Sequence, residues 1–186
     1  MSIKINYKNS IQKKNSSSPI LFLSENFNLS DLKKNVSKDE YSYISDLLKT
    51  SDLKKDILFF KINSKKTIYL ISLKKDLKIS DLESLGAKFF SLINNDKQNN
   101  YFIDSKLIIK NIENFVSYFL HGLKLKSYDF NKYKSKKDEK NISINVISNK
   151  NKVSKQNKLR FKAIEEGTFF ARDLVSEPGN VLHPDE

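Results

Sequence analysis

The stretch Pro19-Ile20-Leu21-Phe22-Leu23 decides the fold class of this chain of 186 residues. Pro19 opens the run, and the four residues that follow it are all apolar. An apolar run of this length, uninterrupted by polar residues, suits a β-strand that is covered on both faces. We therefore expect this strand to lie inside a sheet that other elements flank.

Further strand patterns lie on both sides of this run. The apolar segments 57–60 and 67–71, joined by the polar residues 63–66, predict a hairpin pair within the sheet. Residues 101–103 predict a short strand. Two segments alternate apolar and polar residues, as a half-buried strand does, through Ile3 and Ile5 in the first and Ile142, Ile144 and Val146 in the second.

Helical patterns separate these strands. Residues 38–49 carry apolar side chains at helical spacing, with Ser37 as the predicted cap and Glu40 completing a capping box. Ser80 is predicted to cap a second helix that runs to about residue 94, with Glu83 completing a second capping box.

A third helix is predicted between residues 109 and 124. Its apolar positions recur at intervals of three and four residues, namely Ile112, Phe115, Val116, Phe119 and Leu123. Strands that alternate with helices in this order indicate an α/β domain in which helices flank a mixed sheet.

The longest helical pattern lies near the carboxyl end and follows a polar linker over residues 149–157. It runs from Leu159 to Val175, and Pro178 with Gly179 is expected to stop it. The face predicted to be buried consists of Phe161, Ile164, Thr168, Ala171, Leu174 and Val175. Because residues 177–186 close no element, they are interpreted as the opening of a second domain.

Composition restricts the function classes. The net charge is +12, yet only Arg160 and Arg172 are arginines, and lysine alone carries little sequence information for a nucleic-acid reader. Two interpretations stay open, the codon bias of an AT-rich genome and a real attraction for polyanions.

The absence of cysteine excludes disulfides, thiolate metal sites and cysteine nucleophiles. No segment has the apolar length of a membrane span or a signal peptide, so a cytoplasmic location is expected.

Few residues offer catalytic chemistry. His121 and His183 are the two histidines, neither has a partner motif, and both are interpreted as structural. The carboxylate pairs Asp138-Glu139 and Glu165-Glu166 could bind a hard cation or act as acid and base, but solvated charge runs are far commoner. Four glycines are too few for a phosphate-binding loop or a dinucleotide fingerprint.

The stretch Lys124–Lys134 interleaves lysines with aromatic rings, as single-stranded nucleic-acid binders do. The simpler interpretation is that Tyr128, Phe130 and Tyr133 anchor the segment to the core while the lysines extend into water.

Two segments resemble landmarks of the M17 leucyl aminopeptidases. Residues 120–135 (LHGLKLKSYDFNKYKS) resemble that family's helix end and turn, and residues 171–184 (ARDLVSEPGNVLHP) resemble its domain junction. The second match is the more specific, although Ser176 replaces the commoner Asn and Gly179 the commoner Pro or Ala.

The resemblance implies a macro-like α/β amino-terminal domain over residues 1–150, a linker and connecting helix over 151–176, and the start of a truncated catalytic domain over 177–186. The family removes amino-terminal residues from peptides with two divalent metal ions, manganese or zinc, held in the catalytic domain. Its Asn-Thr-Asp-Ala-Glu-Gly-Arg motif does not occur here, so no catalytic, cofactor-binding or metal-binding residue is assigned to this chain.

The resemblance also implies a homo-hexamer in the cytoplasm that acts on peptide substrates, with the amino-terminal domain helping assembly. The alternative is a free-standing basic α/β module that binds nucleic acid weakly. A macro-type domain that binds ADP-ribose is disfavoured, because its phosphate loops need glycines that are missing.

Overall fold

Six strands and five helices make up the described part of the chain. The computed structural model describes residues 2–8, 17–105, 108, 112, 114–135, 140–147, 155–179 and 181. The strands are β1 (Ser2–Lys8), β2 (Ser18–Ser24), β3 (Ile57–Asn63), β4 (Lys66–Leu73), β5 (Asn100–Asp104) and β6 (Asn141–Ile147). The helices are α1 (Leu29–Lys33), α2 (Lys38–Thr50), α3 (Ile79–Asn94), α4 (Phe115–Lys126) and α5 (Lys155–Ser176).

The strands form one mixed sheet in the order β1-β6-β5-β2-β4-β3. All neighbouring strands are parallel except the edge strand β3, which pairs with β4 as the predicted antiparallel hairpin. The α/β class with helices flanking a mixed sheet is therefore confirmed.

The apolar run that begins at Pro19 lies in β2 and is buried on both faces, as predicted. Ile20 and Phe22 belong to the larger core cluster, together with residues of α3 and α4. Leu21 and Leu23 belong to a smaller cluster on the other face, with residues of α1 and α2. The lack of alternation in this strand is thus explained by two layers of helix, one on each side.

The capping box predicted for α2 is present. Ser37 Oγ accepts from the Glu40 backbone N–H, and Glu40 Oε2 accepts from the Ser37 N–H. The cap predicted for α3 is wrong, because α3 starts two residues earlier, with Lys78 rather than Ser80 as its N-cap residue. The Asp81 carboxylate accepts a hydrogen bond of 2.9 Å from the Lys78 N–H, which is the contact that was predicted for Glu83. Ser80 therefore lies inside the first turn, and Glu83 makes a different contact.

The third predicted helix is shorter than expected at its start. Helix α4 begins at Phe115, directly after Asn114, whose φ of 57° is left-handed and incompatible with continuing a helix backwards. Ile112 therefore lies outside the helix, although it still packs against the larger core cluster.

Helices α3 and α4 approach each other so closely that two glycines are required. A Cβ atom on Gly122 would meet the backbone of Glu83 in α3 at well under 3.0 Å. A Cβ atom on Gly86 would meet the backbone of Phe119 in α4 in the same way. We refer to these two close approaches, at Gly86 and Gly122, as the glycine contact.

Helix α5 starts at Lys155, four residues before the predicted start, so the end of the predicted linker is helical. The predicted buried face is mostly wrong. Phe161 is half-buried, but Ile164 is 41% and Val175 87% exposed, and Glu165 is the buried residue of this helix. None of the helices in the described residues is both long and apolar enough to cross a lipid bilayer.

Candidate functional site

Several polar side chains meet where α5 packs against α4. His121 in α4 is 5% exposed, and its Nδ1 lies 3.0 Å from Glu83 Oε1 of α3. Because an ionised carboxylate only accepts hydrogen bonds, Nδ1 carries the hydrogen and donates it. The sequence shows no partner motif beside this histidine, and the fold supplies Glu83 as a partner from another helix.

The partner of His121 could not be found from the sequence. Glu83 is 38 positions away and was interpreted as a helix cap. The glycine contact brings the two residues together, because the Glu83 backbone lies against Gly122, the neighbour of His121. The ring of His121 also packs against that of Phe161 in α5, with centroids 5.0 Å apart.

The carboxylate pair Glu165-Glu166 is divided between two environments. Glu165 is buried and accepts a hydrogen bond of 2.9 Å from Lys124 Nζ, whereas Glu166 is exposed and lies 3.5 Å from Lys162. The two carboxylates therefore do not converge on one point, and neither is placed to act with the other as an acid and base pair.

A cavity of about 220 Å³ lies between β1, α4 and α5. Its charged lining residues are Lys124, Lys158, Lys162 and Glu165. This lining carries a net positive charge, which does not suit a cation.

Two buried polar atoms sit in the wall of this cavity. Ser117 Oγ and His121 Nε2 have no hydrogen-bond partner among the described residues. On the other wall, Lys158 lies 4.0 Å above the ring of Tyr7. Burial raises the pKa of the Tyr7 hydroxyl, and the charge of Glu165 raises it further, so Tyr7 is neutral at physiological pH.

The basic and aromatic stretch Lys124–Lys134 contacts α5 rather than the core. Tyr128 Oη donates to Asp173 at 2.7 Å, and Tyr133 Oη donates to Glu177. The Tyr128 ring also packs against that of Phe169. These rings were predicted to anchor the segment to the core. That prediction is wrong, because Tyr128 and Tyr133 contact α5 and the residue that follows it.

Most lysines of the stretch lie in ion pairs. Lys132 contacts Glu177 at 2.6 Å, and Lys134 contacts Asp129 at 2.8 Å. With Lys124 on Glu165, three of its four lysines face a carboxylate. One set of contacts joins α4 and the stretch Lys124–Lys134 to Phe161, Glu165, Asp173 and Glu177. We call this set of contacts the polar seam.

The remaining candidates give no assembled site. Asp138-Glu139 and His183 lie outside the described residues. Within the part of the chain that the structure describes, no three His, Asp or Glu side chains are close enough to hold a metal ion.

The chain is similar in sequence to proteins named as cytosol aminopeptidases. No family model matches it. A curated relative, the probable cytosol aminopeptidase of Clostridium perfringens, is 32% identical over 168 residues, which cover 82% of this chain and 31% of the relative. The chain thus spans less than a third of the length of the first curated relatives it matches.

Solved structures share the fold. A mutant of tomato leucine aminopeptidase matches with a TM-score of 0.71 at 15% identity, over 99% of this chain and 40% of that one. The bottromycin maturation enzyme BotP in complex with Mn matches with a TM-score of 0.61 at 12% identity, over 91% of this chain and 34% of that one. At these identities the likeness concerns the fold alone.

Proposed function

Since this chain is a homologue of the cytosol aminopeptidases, the M17 leucyl aminopeptidase family, we propose that it forms the amino-terminal, non-catalytic part of such an enzyme. The full-length enzyme would remove amino-terminal residues from peptides by two-metal hydrolysis. The observation that carries the proposal is the alignment of 82% of this chain with only 31% of an aminopeptidase.

The proposed division of the chain follows the family. Residues 1–150 would form the amino-terminal domain, residues 151–176 the linker and connecting helix, and residues 177–186 the start of the catalytic domain. The position of α5 supports this division, because among the described residues α5 contacts the other elements mainly through polar groups and ion pairs rather than through a shared apolar core.

The proposal places two divalent metal ions, manganese or zinc, outside this chain. It also includes a cytoplasmic location, supported by the names of the relatives, and assembly of the full-length enzyme into a homo-hexamer. The proposal assigns no catalytic role to any residue of this chain.

Hydrolysis of leucine p-nitroanilide tests the proposal. The chain of 186 residues should give no turnover with added manganese or zinc, whereas a protein extended along its reading frame should turn the substrate over and lose activity when the metal is chelated. Metal-dependent turnover by the chain alone would contradict the proposal, and so would a reading frame that stops at Glu186.

The second candidate is a basic module that binds nucleic acid, favoured by the net charge of +12. Ion pairs within the polar seam and with Asp129 reduce the positive charge that the stretch Lys124–Lys134 can offer. Binding to a DNA oligonucleotide should therefore be weak and disappear between low and physiological salt, as counterion release requires. A tight complex that persists at physiological salt would favour this candidate over the first.

A further inference from the structure

Three elements line the cavity between β1, α4 and α5. Ser117 and His121 lie one turn apart in α4 and therefore on one side of that helix. Lys158 and Lys162 stand in the same relation to each other in α5. The apolar side chains of the lining include Ile5, Leu120 and Phe161. The cavity is thus formed by the packing of separate elements and not by one stretch of sequence.

Two polar groups of this cavity are buried without a partner. Ser117 and His121 are each 5% exposed. Within the part of the chain that the structure describes, Ser117 Oγ and His121 Nε2 accept and donate no hydrogen bond. Because buried polar atoms are nearly always paired, two unpaired atoms in the wall of one cavity indicate a polar ligand.

The two groups differ in the hydrogen bonds that they can make. Nδ1 of His121 donates to Glu83, so Nε2 of the neutral ring can only accept. The hydroxyl of Ser117 can donate. A matching ligand therefore presents a hydrogen to Nε2 and an oxygen acceptor to Ser117.

The charged groups of the cavity favour an anion. Three lysines line it together with one carboxylate, that of Glu165, which lies 2.9 Å from the Lys124 ammonium. Lys162 is 3.5 Å from Glu166, whereas Lys158 lies over an aromatic ring. The surplus positive charge is therefore carried mainly by Lys158, which attracts a negatively charged ligand.

The size of the cavity limits the anion to a small one. Its volume of about 220 Å³ is below the roughly 300 Å³ at which pockets for larger organic ligands begin. Among small anions, hydrogen phosphate combines negative charge and oxygen acceptors with a hydroxyl that can donate.

We propose that this cavity binds inorganic phosphate. Lys158 and Ser117 donate hydrogen bonds to its oxygens, and His121 Nε2 accepts one from its hydroxyl. Glu83 is a positioning residue, because its contact with Nδ1 leaves Nε2 for the ligand. The proposal does not depend on the proposed function, since phosphate binding requires no peptidase activity.

Nuclear magnetic resonance of the His121 ring tests whether phosphate reaches the cavity. His183→Gln removes the other histidine, so that His121 gives the only histidine signals. Phosphate is added at about pH 8 and constant ionic strength, and sulfate is the matched control, because it has a similar size and charge but carries no hydrogen. The ring signals should shift saturably, with phosphate bound about tenfold more tightly than sulfate, the contribution of one hydrogen bond.

Ser117→Ala tests the hydroxyl donor. Phosphate should bind about tenfold more weakly to this variant, because one hydrogen bond is lost. In the absence of phosphate the variant should be as stable as the wild type, because the hydroxyl has no partner among the described residues. Chemical denaturation without phosphate checks that expectation and shows that the variant folds.

Lys158→Gln tests the charge. It should weaken the binding of phosphate and of sulfate alike, because both anions lose the same ammonium group. The matched control is Lys61→Gln in β3, at the edge of the sheet opposite β1, and it should change neither affinity.

Three results would overturn the proposal. Equal affinities for phosphate and sulfate would show a general attraction of the lysines for anions. An unchanged phosphate affinity in Ser117→Ala or Lys158→Gln would place the phosphate elsewhere. The absence of a saturable shift at millimolar phosphate would show that the buried atoms are satisfied without it.

Discussion

Helix α4 is bound on two sides by contacts of different kinds. On the α3 side, the glycine contact brings two backbones together and buries apolar side chains around them. On the α5 side, the polar seam consists of hydrogen bonds, ion pairs and a few half-buried rings. Close packing tolerates no added atoms, whereas ion pairs respond to salt and pH. The comparison indicates that α3 and α4 form one unit with the sheet and that α5 can be loosened separately.

The largest effect is expected from Gly122→Ala. The added methyl group would collide with the backbone of Glu83, which cannot move without separating α3 from α4. We expect a loss of at least about 3 kcal/mol in the free energy of unfolding, at the upper end for overpacked cores. Chemical denaturation followed by circular dichroism measures it, and a variant as stable as the wild type would show that the helices are not so close.

A smaller loss is expected from Phe161→Ala, the main aromatic contact of the polar seam. Its ring packs against Tyr118 and His121, but it is only half-buried, so about 2 kcal/mol should be lost. The control is Ile164→Ala, which was predicted to be buried but is exposed, and it should change stability by less than about 0.5 kcal/mol. Equal losses of stability for the two variants would show that Phe161 and Ile164 are both buried, as the sequence predicted.

Acid should loosen the end of the polar seam before the sheet unfolds. Hydrogen bonds from Lys132 and Tyr133 lower the pKa of the Glu177 carboxyl below its ordinary value of 4.5. A carboxyl with a depressed pKa in the folded state stabilises it above the ordinary value, and that contribution disappears as the pH falls through the folded value. Hydrogen exchange in the last turn of α5 should therefore increase below about pH 4.5 while α3 stays protected. In Lys132→Met this pH dependence should be reduced, and an unchanged profile would contradict the assignment.

The smallest effect, and the only gain, is expected from Gly167→Ala. This glycine is in a helix like Gly122, but its surroundings are open, so the substitution improves helix propensity at no steric cost. We expect a gain of about 0.5 to 1 kcal/mol in the free energy of unfolding, measured by chemical denaturation. A loss of stability as large as that of Gly122→Ala would contradict the difference in packing between the α3 side and the α5 side of α4.

Local patterns predicted most of the fold. The capping box at Ser37, the hairpin and the doubly covered strand β2 depend on neighbours in the sequence, and all three are confirmed. The resemblance to leucyl aminopeptidases is likewise confirmed by the relatives.

The polar seam could not be predicted because its partners are far apart in the sequence. Hydrophobic periodicity assigns the apolar face of a helix to the core, but α5 turns Glu165 inward and leaves Leu159 and Phe170 exposed. The pairing of His121 with Glu83 also required the crossing of α3 and α4, which no local pattern shows. Two glycines in successive predicted helices were the available signal.

The neighbouring positions of β1 and β6 in the sheet affect how the chain is made. Asn6 pairs with Asn145, 139 positions later, and β1 has no other strand beside it in the described sheet. On the ribosome, β1 must therefore wait for β6, which is made after the other described strands. The central strands can pair while synthesis continues, and β1 joins the sheet only when translation has passed residue 147.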